Sequence, residues 1–117
     1  MSITRLHAGP RMSQAVIHGD TVYLAGQVAD QAKGKSVGEQ TAEILAAVDR
    51  LLAEAGSDKT RILSATIYLA DIATFADMNA VWDAWVPAGS APARATVEAK
   101  LAASPYTVEI ACIAARD

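Results

Sequence analysis

Arg94 is the side chain whose setting most suggests chemistry. It follows the small, turn-like segment Ala91-Pro92-Ala93 and opens a stretch in which polar and apolar residues alternate. An arginine at such a position can present its planar guanidinium to a carboxylate through two parallel N–H bonds. The other interpretation is an arginine at a sheet edge that contacts only water. Arg94 is therefore a candidate anchor for a small carboxylate.

Glu109 and Asn79 are two further polar residues in apolar surroundings. Glu109 shares one side of a predicted strand with Thr107, Ala111 and Ile113. A carboxylate there is ion-paired, acts as a general acid or base, or lies at a wet rim, and the sequence leaves all three open. Asn79 falls on the apolar side of a predicted helix. A buried amide needs hydrogen bonds, and the backbone of a loop is its simplest partner.

Other catalytic constellations are missing from the sequence. It has no G-x-S-x-G, P-loop or G-x-G-x-x-G motif. His7 and His18 lack metal-binding spacing, and a single cysteine, Cys112, excludes a cysteine-built zinc site. We therefore expect no metal, nucleotide or flavin cofactor. Cys112 is predicted to be a buried packing residue rather than a nucleophile.

Length and composition restrict the class of protein. The chain has 117 residues, of which 52% are hydrophobic and 20% charged, and its net charge is −3. This predicts one folded domain over residues 1–117 rather than a disordered chain. No apolar stretch reaches the roughly 18 residues of a membrane span, and we expect no secretory signal. With its lone cysteine and acidic balance, the chain is predicted to be cytoplasmic and to bind neither membranes nor nucleic acid.

The first half of the chain predicts three short strands and a long helix. The strands cover residues 3–6, 15–18 and 21–25, with a hairpin turn at Gly19-Asp20. The helix starts after a capping-box pattern, Ser36 with Glu39, and stops at Gly56. Its apolar stripe consists of Val37, Thr41, Ile44, Leu45, Val48, Leu51, Leu52 and Ala55.

The second half predicts a strand, a helix and two more strands. The strands cover residues 62–70, 93–101 and 106–115, and the helix runs between Thr74 and Pro87. The apolar stripe of this helix consists of Phe75, Met78, Trp82, Trp85 and Val86. Two helices can cover only one face of a five- or six-stranded sheet, which predicts an α+β fold. The last strand turns Ala111 and Ile113 to the uncovered side, and this predicts an oligomer.

Three segments resemble the RidA/YjgF family of reactive-imine deaminases. They are F-x-x-M-N-x-x-W at residues 75–82, A-P-x-R at residues 91–94 and V-E-I at residues 108–110. The pattern ATIYLAD followed by MNAVWDAWV is most similar to the YoaB-like branch. The resemblance covers nearly the whole chain. It implies a chorismate-mutase-like fold with both helices on one sheet face, a barrel-like homotrimer, and ligand clefts between subunits.

The resemblance also implies roles for individual residues. Arg94 matches the arginine that grips the substrate carboxylate, and Glu109 matches the glutamate that positions or activates water. The other residues that it places at or near the substrate are Asn79, Gly26, Gln27, Arg11 and Met12. Two hydroxyls of the family pattern are replaced, because Arg11-Met12 stands where a tyrosine is expected and Ala25 where a serine is expected.

Two functions remain open on these grounds. The first is hydrolysis of small 2-imino or enamine acids to 2-oxo acids and ammonium. In it Arg94 binds the carboxylate, and Glu109 positions or activates the water. The alternative is a module of the same trimeric fold that binds 2-oxo acids or other small carboxylates without turnover. Older names of the family suggest an endoribonuclease, which the acidic composition argues against.

Overall fold

In the computed structural model, which describes residues 1–117, a six-stranded sheet carries two helices on one face. The elements in chain order are β1 (Ile3–Leu6), β2 (Ala15–His18), β3 (Thr21–Leu24), α1 (Val37–Glu54), β4 (Ile62–Leu69), α2 (Phe75–Trp85), β5 (Ala93–Glu98) and β6 (Val108–Ala115). The strand order is β1-β2-β3-β6-β4-β5, and only β4 and β5 pair in parallel. The predicted α+β architecture is confirmed. Neither helix has the length and apolar character needed to cross a membrane.

Helix α1 begins and ends at the capping residues that the sequence predicts. The Ser36 hydroxyl accepts a hydrogen bond from the Glu39 N–H at 3.2 Å and donates one to the Glu39 carboxylate at 3.1 Å. At the other end Gly56 has a φ of +80°, and the Ser57 N–H donates to the Leu52 carbonyl at 2.8 Å. The left-handed conformation of Gly56 and this hydrogen bond close the helix as a Schellman motif. Every residue of the predicted apolar stripe is buried.

Side chains alternate between a face of the sheet that the helices cover and one that they do not. Ala65 lies opposite Cys112 and Ile67 opposite Ile110, and all four are buried. They define the helix face. The alternate positions of β6, Glu109 among them, define the open face.

Large apolar side chains are exposed on the open face. Tyr23 is 46% exposed, Val97 43% and Ile113 36%, and Tyr23 lies directly opposite Ile113. The chain measures 42 × 38 × 21 Å, and its short dimension corresponds to one sheet layer and one helix layer. An apolar sheet face without a covering layer is a surface that a further protein chain can bury.

Cys112 is buried on the helix face, as predicted. Burial raises the pKa of its thiol to about 12. The thiol is therefore protonated at neutral pH, and Cys112 is unsuited to act as a nucleophile.

The strands on either side of the last loop are shorter than predicted. β5 ends at Glu98 instead of residue 101, and β6 begins at Val108 instead of residue 106. The Ala99 N–H still donates to the Leu69 carbonyl at 2.9 Å, but β4 ends there. The predicted boundaries were wrong because the alternating pattern continues beyond the last residue that a neighbouring strand can pair with.

A buried glutamine that the sequence analysis did not single out fixes the start of β6. Gln40 of α1 is fully buried. Its Oε1 accepts from the Thr107 N–H at 2.9 Å, and its Nε2 donates to the carbonyls of Lys35 and Pro105 at 3.1 and 2.9 Å. These bonds tie two loops to the helix, and they anchor the strand that carries Glu109.

Candidate functional site

Arg94 is held at the start of β5 by three residues of α2. It lies opposite Ala65 in the parallel pair, so its side chain is on the helix face. Its Nη1 donates to Oδ1 of Asn79 at 2.7 Å, and its Cζ lies 5.7 Å from the ring centre of Phe75 and 5.3 Å from that of Trp82. Positions i, i+4 and i+7 share one side of a helix, which brings these three residues together. The partner of the Asn79 amide is thus an arginine side chain and not the loop backbone that the sequence suggested.

Phe75 is less buried than its place in the predicted apolar stripe implies. Met78 and Trp82 of the same stripe are buried, whereas Phe75 is 40% exposed. Its ring lies over the Arg94 guanidinium at the edge of the sheet instead of over the core. The spacing of four residues between Phe75 and Asn79 is the signal by which the sequence could have placed Phe75 beside the arginine.

Glu109 lies on the open face against Gly26. A Cβ atom added to Gly26 would overlap the Glu109 carboxylate, so the absence of a side chain at this position makes room for it. The Gly26 N–H donates to no acceptor within the chain. Tyr68 of β4 lies directly opposite Glu109 on the same face. Gly26 and Glu109, both predicted site residues, are therefore brought together from distant parts of the chain.

Gln27 turns its side chain to the helix face. Its backbone exchanges two hydrogen bonds with Ile110, at 2.8 and 3.1 Å. Its Nε2 donates to Oε1 of Gln14 at 2.9 Å and to the Ala25 carbonyl at 3.0 Å. These bonds hold the preceding glycine beside β6. The structure therefore makes Gln27 a support for Gly26 and places its amide across the sheet from the Glu109 carboxylate.

Arg11 and Met12 lie in the exposed loop between β1 and β2. The Ala25 N–H donates to the Gln14 carbonyl at 2.9 Å, which attaches the end of this loop next to Gly26. The predicted substrate-binding residues Arg11 and Met12 thus share an end of the sheet with Gly26.

Arg94 and Glu109 of one chain lie on opposite faces of the sheet. Tyr68 pairs with Glu109 on one side and with Val97 on the other, and Val97 is three residues beyond Arg94. With about 4.8 Å between strands and about 3.3 Å per residue, the two Cα atoms are roughly 14 Å apart. A single chain therefore does not present both side chains to one small molecule.

One polar group near Arg94 has no partner. Thr96 is also on the helix face, opposite Ile67, and its hydroxyl is buried without a hydrogen bond. No group of three histidine, cysteine, aspartate or glutamate side chains is placed to share a metal ion.

Comparison with known proteins identifies the family and agrees with the fold. Residues 2–116 match the family described as Endoribonuclease L-PSP. The chain belongs to this family. The RutC family protein YoaB of Escherichia coli K12 is 49% identical over 115 residues, which cover 98% of this chain and 99% of YoaB. A crystal structure of a YjgF family member from Neisseria meningitidis has a TM-score of 0.96 and 47% identity, covering 100% of this chain and 97% of that chain.

The resemblance to the RidA/YjgF family and its YoaB-like branch is therefore confirmed, and so is the YjgF-type fold. A more distant family member, from Bos taurus, is named 2-iminobutanoate/2-iminopropanoate deaminase. It is 36% identical over 107 residues, which cover 87% of this chain and 77% of the bovine protein. The names of the more similar RutC relatives state no reaction.

Proposed function

We propose that this chain hydrolyses small 2-imino or enamine acids to 2-oxo acids and ammonium. One observation carries the proposal: Asn79 holds Arg94 at Nη1, while Nε and Nη2 donate to no acceptor in the chain. The N–H bonds of that free edge are parallel and suit the two oxygens of a carboxylate. The name of the bovine relative supports a small imino acid as the molecule that carries this carboxylate.

The proposed site needs two copies of the chain. Because Arg94 and Glu109 lie on opposite faces of one sheet, we place the substrate in a cleft where Arg94 of one protomer meets Glu109 of its neighbour. A homotrimer closed by three such contacts leaves no contact surface unpaired. Burial of the exposed Tyr23, Val97 and Ile113 on the open face would stabilise the assembly.

The reaction follows from the two halves of the cleft. Arg94 binds the substrate carboxylate, and the C=N carbon then lies near Glu109. A water oxygen adds to that carbon while Glu109 accepts a proton from the water and passes it to the nitrogen. Glu109 then accepts the hydroxyl proton of this adduct and passes it to the amino nitrogen, so that the C–N bond breaks as the C=O bond forms. Ammonia leaves and takes up a proton from the solvent as ammonium. One positioned acid or base contributes about 10² to 10⁴-fold, which is enough for substrates that also hydrolyse unaided.

A panel of freshly generated 2-imino acids with side chains of increasing length tests this function. We expect release of the 2-oxo acid and ammonium in proportion to the protein concentration and above the uncatalysed rate. The Arg94→Ala variant is the control for contaminating activity. Release at the buffer rate for the whole panel would contradict the proposal.

Binding of small carboxylates without turnover is the second candidate function. It is favoured by Ala25, which brings no hydroxyl to the residues around Gly26 and Glu109. Glu109→Gln separates the two functions, because it removes the base and keeps the size of the side chain. If the protein is an enzyme, its turnover should fall by about 10²-fold or more, while its affinity for 2-oxo acids should change little. In a binding module there is no turnover, and affinity is unchanged or slightly higher because a repelling charge is removed.

RNA cleavage is not part of the proposal, although the description of the matched family contains the word endoribonuclease. Binding to the phosphate backbone depends on clustered positive charge, and the net charge of this chain is −3. RNA left intact by the protein at low salt is the expected result.

The protein should sediment as a trimer at micromolar concentration. Ile113→Asp should dissociate it, because the substitution puts a charge in the middle of the apolar open face. Ala46→Asp, which adds the same charge to the exposed side of α1, is the matched control and should leave the trimer intact. Equilibrium sedimentation measures all three proteins. A stable 12.2 kDa species in the unsubstituted protein would contradict both the trimer and the two-chain site.

Gly26→Ala should reduce turnover much more than it reduces stability. The new methyl group would overlap the Glu109 carboxylate, which can move away because it is the end of a flexible side chain. The displaced base should lower kcat by about 10-fold or more, a substantial part of what one acid or base contributes. Gly38→Ala is the control, since its added methyl meets only Val81 at an ordinary 3.6 Å. Thermal unfolding and imino-acid turnover are measured side by side; unchanged turnover in Gly26→Ala would separate Glu109 from the reaction.

A further inference from the structure

We propose that Asn79, Phe75 and Trp82 are positioning residues that aim Arg94, and that Asn79 does not itself bind the substrate. The inference rests on the proposed role of Arg94 as the carboxylate anchor. It changes the role that the sequence suggested for Asn79, which was direct contact with the substrate.

The hydrogen bond from Arg94 to Asn79 sets which edge of the guanidinium is free. Nη1 donates to Oδ1 of Asn79 at 2.7 Å. The amide must present its oxygen here, because its nitrogen and the guanidinium are both donors. Its Nδ2 therefore points away from the arginine. The Nε and Nη2 edge remains unpaired, and it is this edge that can bind a carboxylate through two parallel bonds.

The aromatic rings restrict the guanidinium further. Both ring centres lie within about 6 Å of Cζ, the range in which a cation is attracted to a ring face: 5.7 Å for Phe75 and 5.3 Å for Trp82. An arginine side chain that is free in solution loses considerable rotamer entropy when it binds a ligand. Here Asn79 and the two rings order Arg94 before any ligand arrives, so less of the binding free energy is lost.

A double-mutant cycle separates aiming from direct contact. The measured quantity is the dissociation constant of 2-oxobutyrate, obtained by NMR titration so that millimolar values can be determined. Asn79→Ala is compared in the wild-type and in the Arg94→Lys background, because an ammonium has no planar edge to aim. We expect about 10-fold weaker binding in the wild-type background, the effect of one lost hydrogen bond to a charged group, and less than about 2-fold in the Arg94→Lys background. Asp83→Ala, an exposed change on the same helix, should have no effect in either background.

A second variant keeps the test independent of the stability of Asn79→Ala. Phe75→Leu keeps an apolar side chain at a 40% exposed position and removes the ring. It should weaken binding about 3-fold, and Phe75→Tyr should restore it.

The outcomes distinguish this inference from the proposed function. An equal loss from Asn79→Ala in both backgrounds would show direct contact with the ligand and overturn the positioning role. The positioning role would also be overturned if binding requires Arg94 but is unchanged by Asn79→Ala and by Phe75→Leu. If Arg94→Ala binds 2-oxobutyrate as well as the wild type does, or neither binds it, Arg94 is not the anchor and both proposals fall.

Discussion

Replacing Arg94 with alanine should lower kcat/KM for a small 2-imino acid by about 10² or more and leave the fold intact. The lost interaction is a two-pronged, charge-assisted contact, and hydrogen bonds to charged groups are worth about 1.5 to 3 kcal/mol each. The fold should tolerate the change because Arg94 is on an edge strand and forms one side-chain hydrogen bond, with Asn79. Steady-state turnover and circular dichroism measure the two effects.

Arg94→Lys is the informative companion to this variant. It keeps the positive charge but cannot make the planar fork, so it should recover only a small part of the activity. Near-normal turnover in Arg94→Ala would exclude the proposed site, whatever the assembly of the protein. Full recovery in Arg94→Lys would mean that charge, and not the shape of the guanidinium, binds the carboxylate.

Mixing two inactive variants should restore activity. Arg94→Ala and Glu109→Gln chains, unfolded together in equal amounts and refolded, should form random trimers. Every trimer that contains both kinds of chain has one cleft with an intact Arg94 from one chain and an intact Glu109 from its neighbour. Such trimers make up about three quarters of the mixture, so about one quarter of wild-type turnover should return.

This result depends on the two residues coming from different chains. If Arg94 and Glu109 of the same chain acted together, no mixed trimer would contain an intact site, and the mixture would stay inactive. Wild type mixed with the doubly substituted chain, Arg94→Ala with Glu109→Gln, is the control for refolding yield. With clefts shared between chains it should also give about one quarter of wild-type turnover. A first mixture without activity, beside a control at about one half of wild-type turnover, would show that both residues act within one chain.

Most of the fold could be predicted because its signals are local. The stripe from Val37 to Ala55, the Ser36 cap and the Gly56 stop each lie within a few residues of what they determine, and the structure confirms them. The ends of β5 and β6 could not be predicted in the same way. The alternation continues through Lys100 and Leu101, whereas β5 stops pairing where β4 ends. The local pattern of one strand does not determine the length of the strand that it pairs with.

The arrangement of the site could not be predicted from the sequence for a similar reason. The sequence predicted the uncovered side for Glu109, because Ala111 and Ile113 share its side of the last strand, but the alternation within β5 does not show which side of that strand the helices cover. The face of Arg94 follows only from two registers of β4, in which Ala65 meets Arg94 on one side and the buried Cys112 on the other. Those registers join segments far apart in the chain. The sequence therefore indicated the two residues but not their placement on opposite faces.

That placement has a consequence for a cell that carries two alleles of this protein. In the proposed ring each chain borders two clefts, giving its Arg94 to one and its Glu109 to the other. A chain that has lost both residues but still assembles would therefore inactivate both of the clefts that it borders. The harm from one defective allele would exceed simple dosage, and such mutations would behave as dominant. Mutations that prevent assembly would be recessive, because the intact chains would then form rings among themselves.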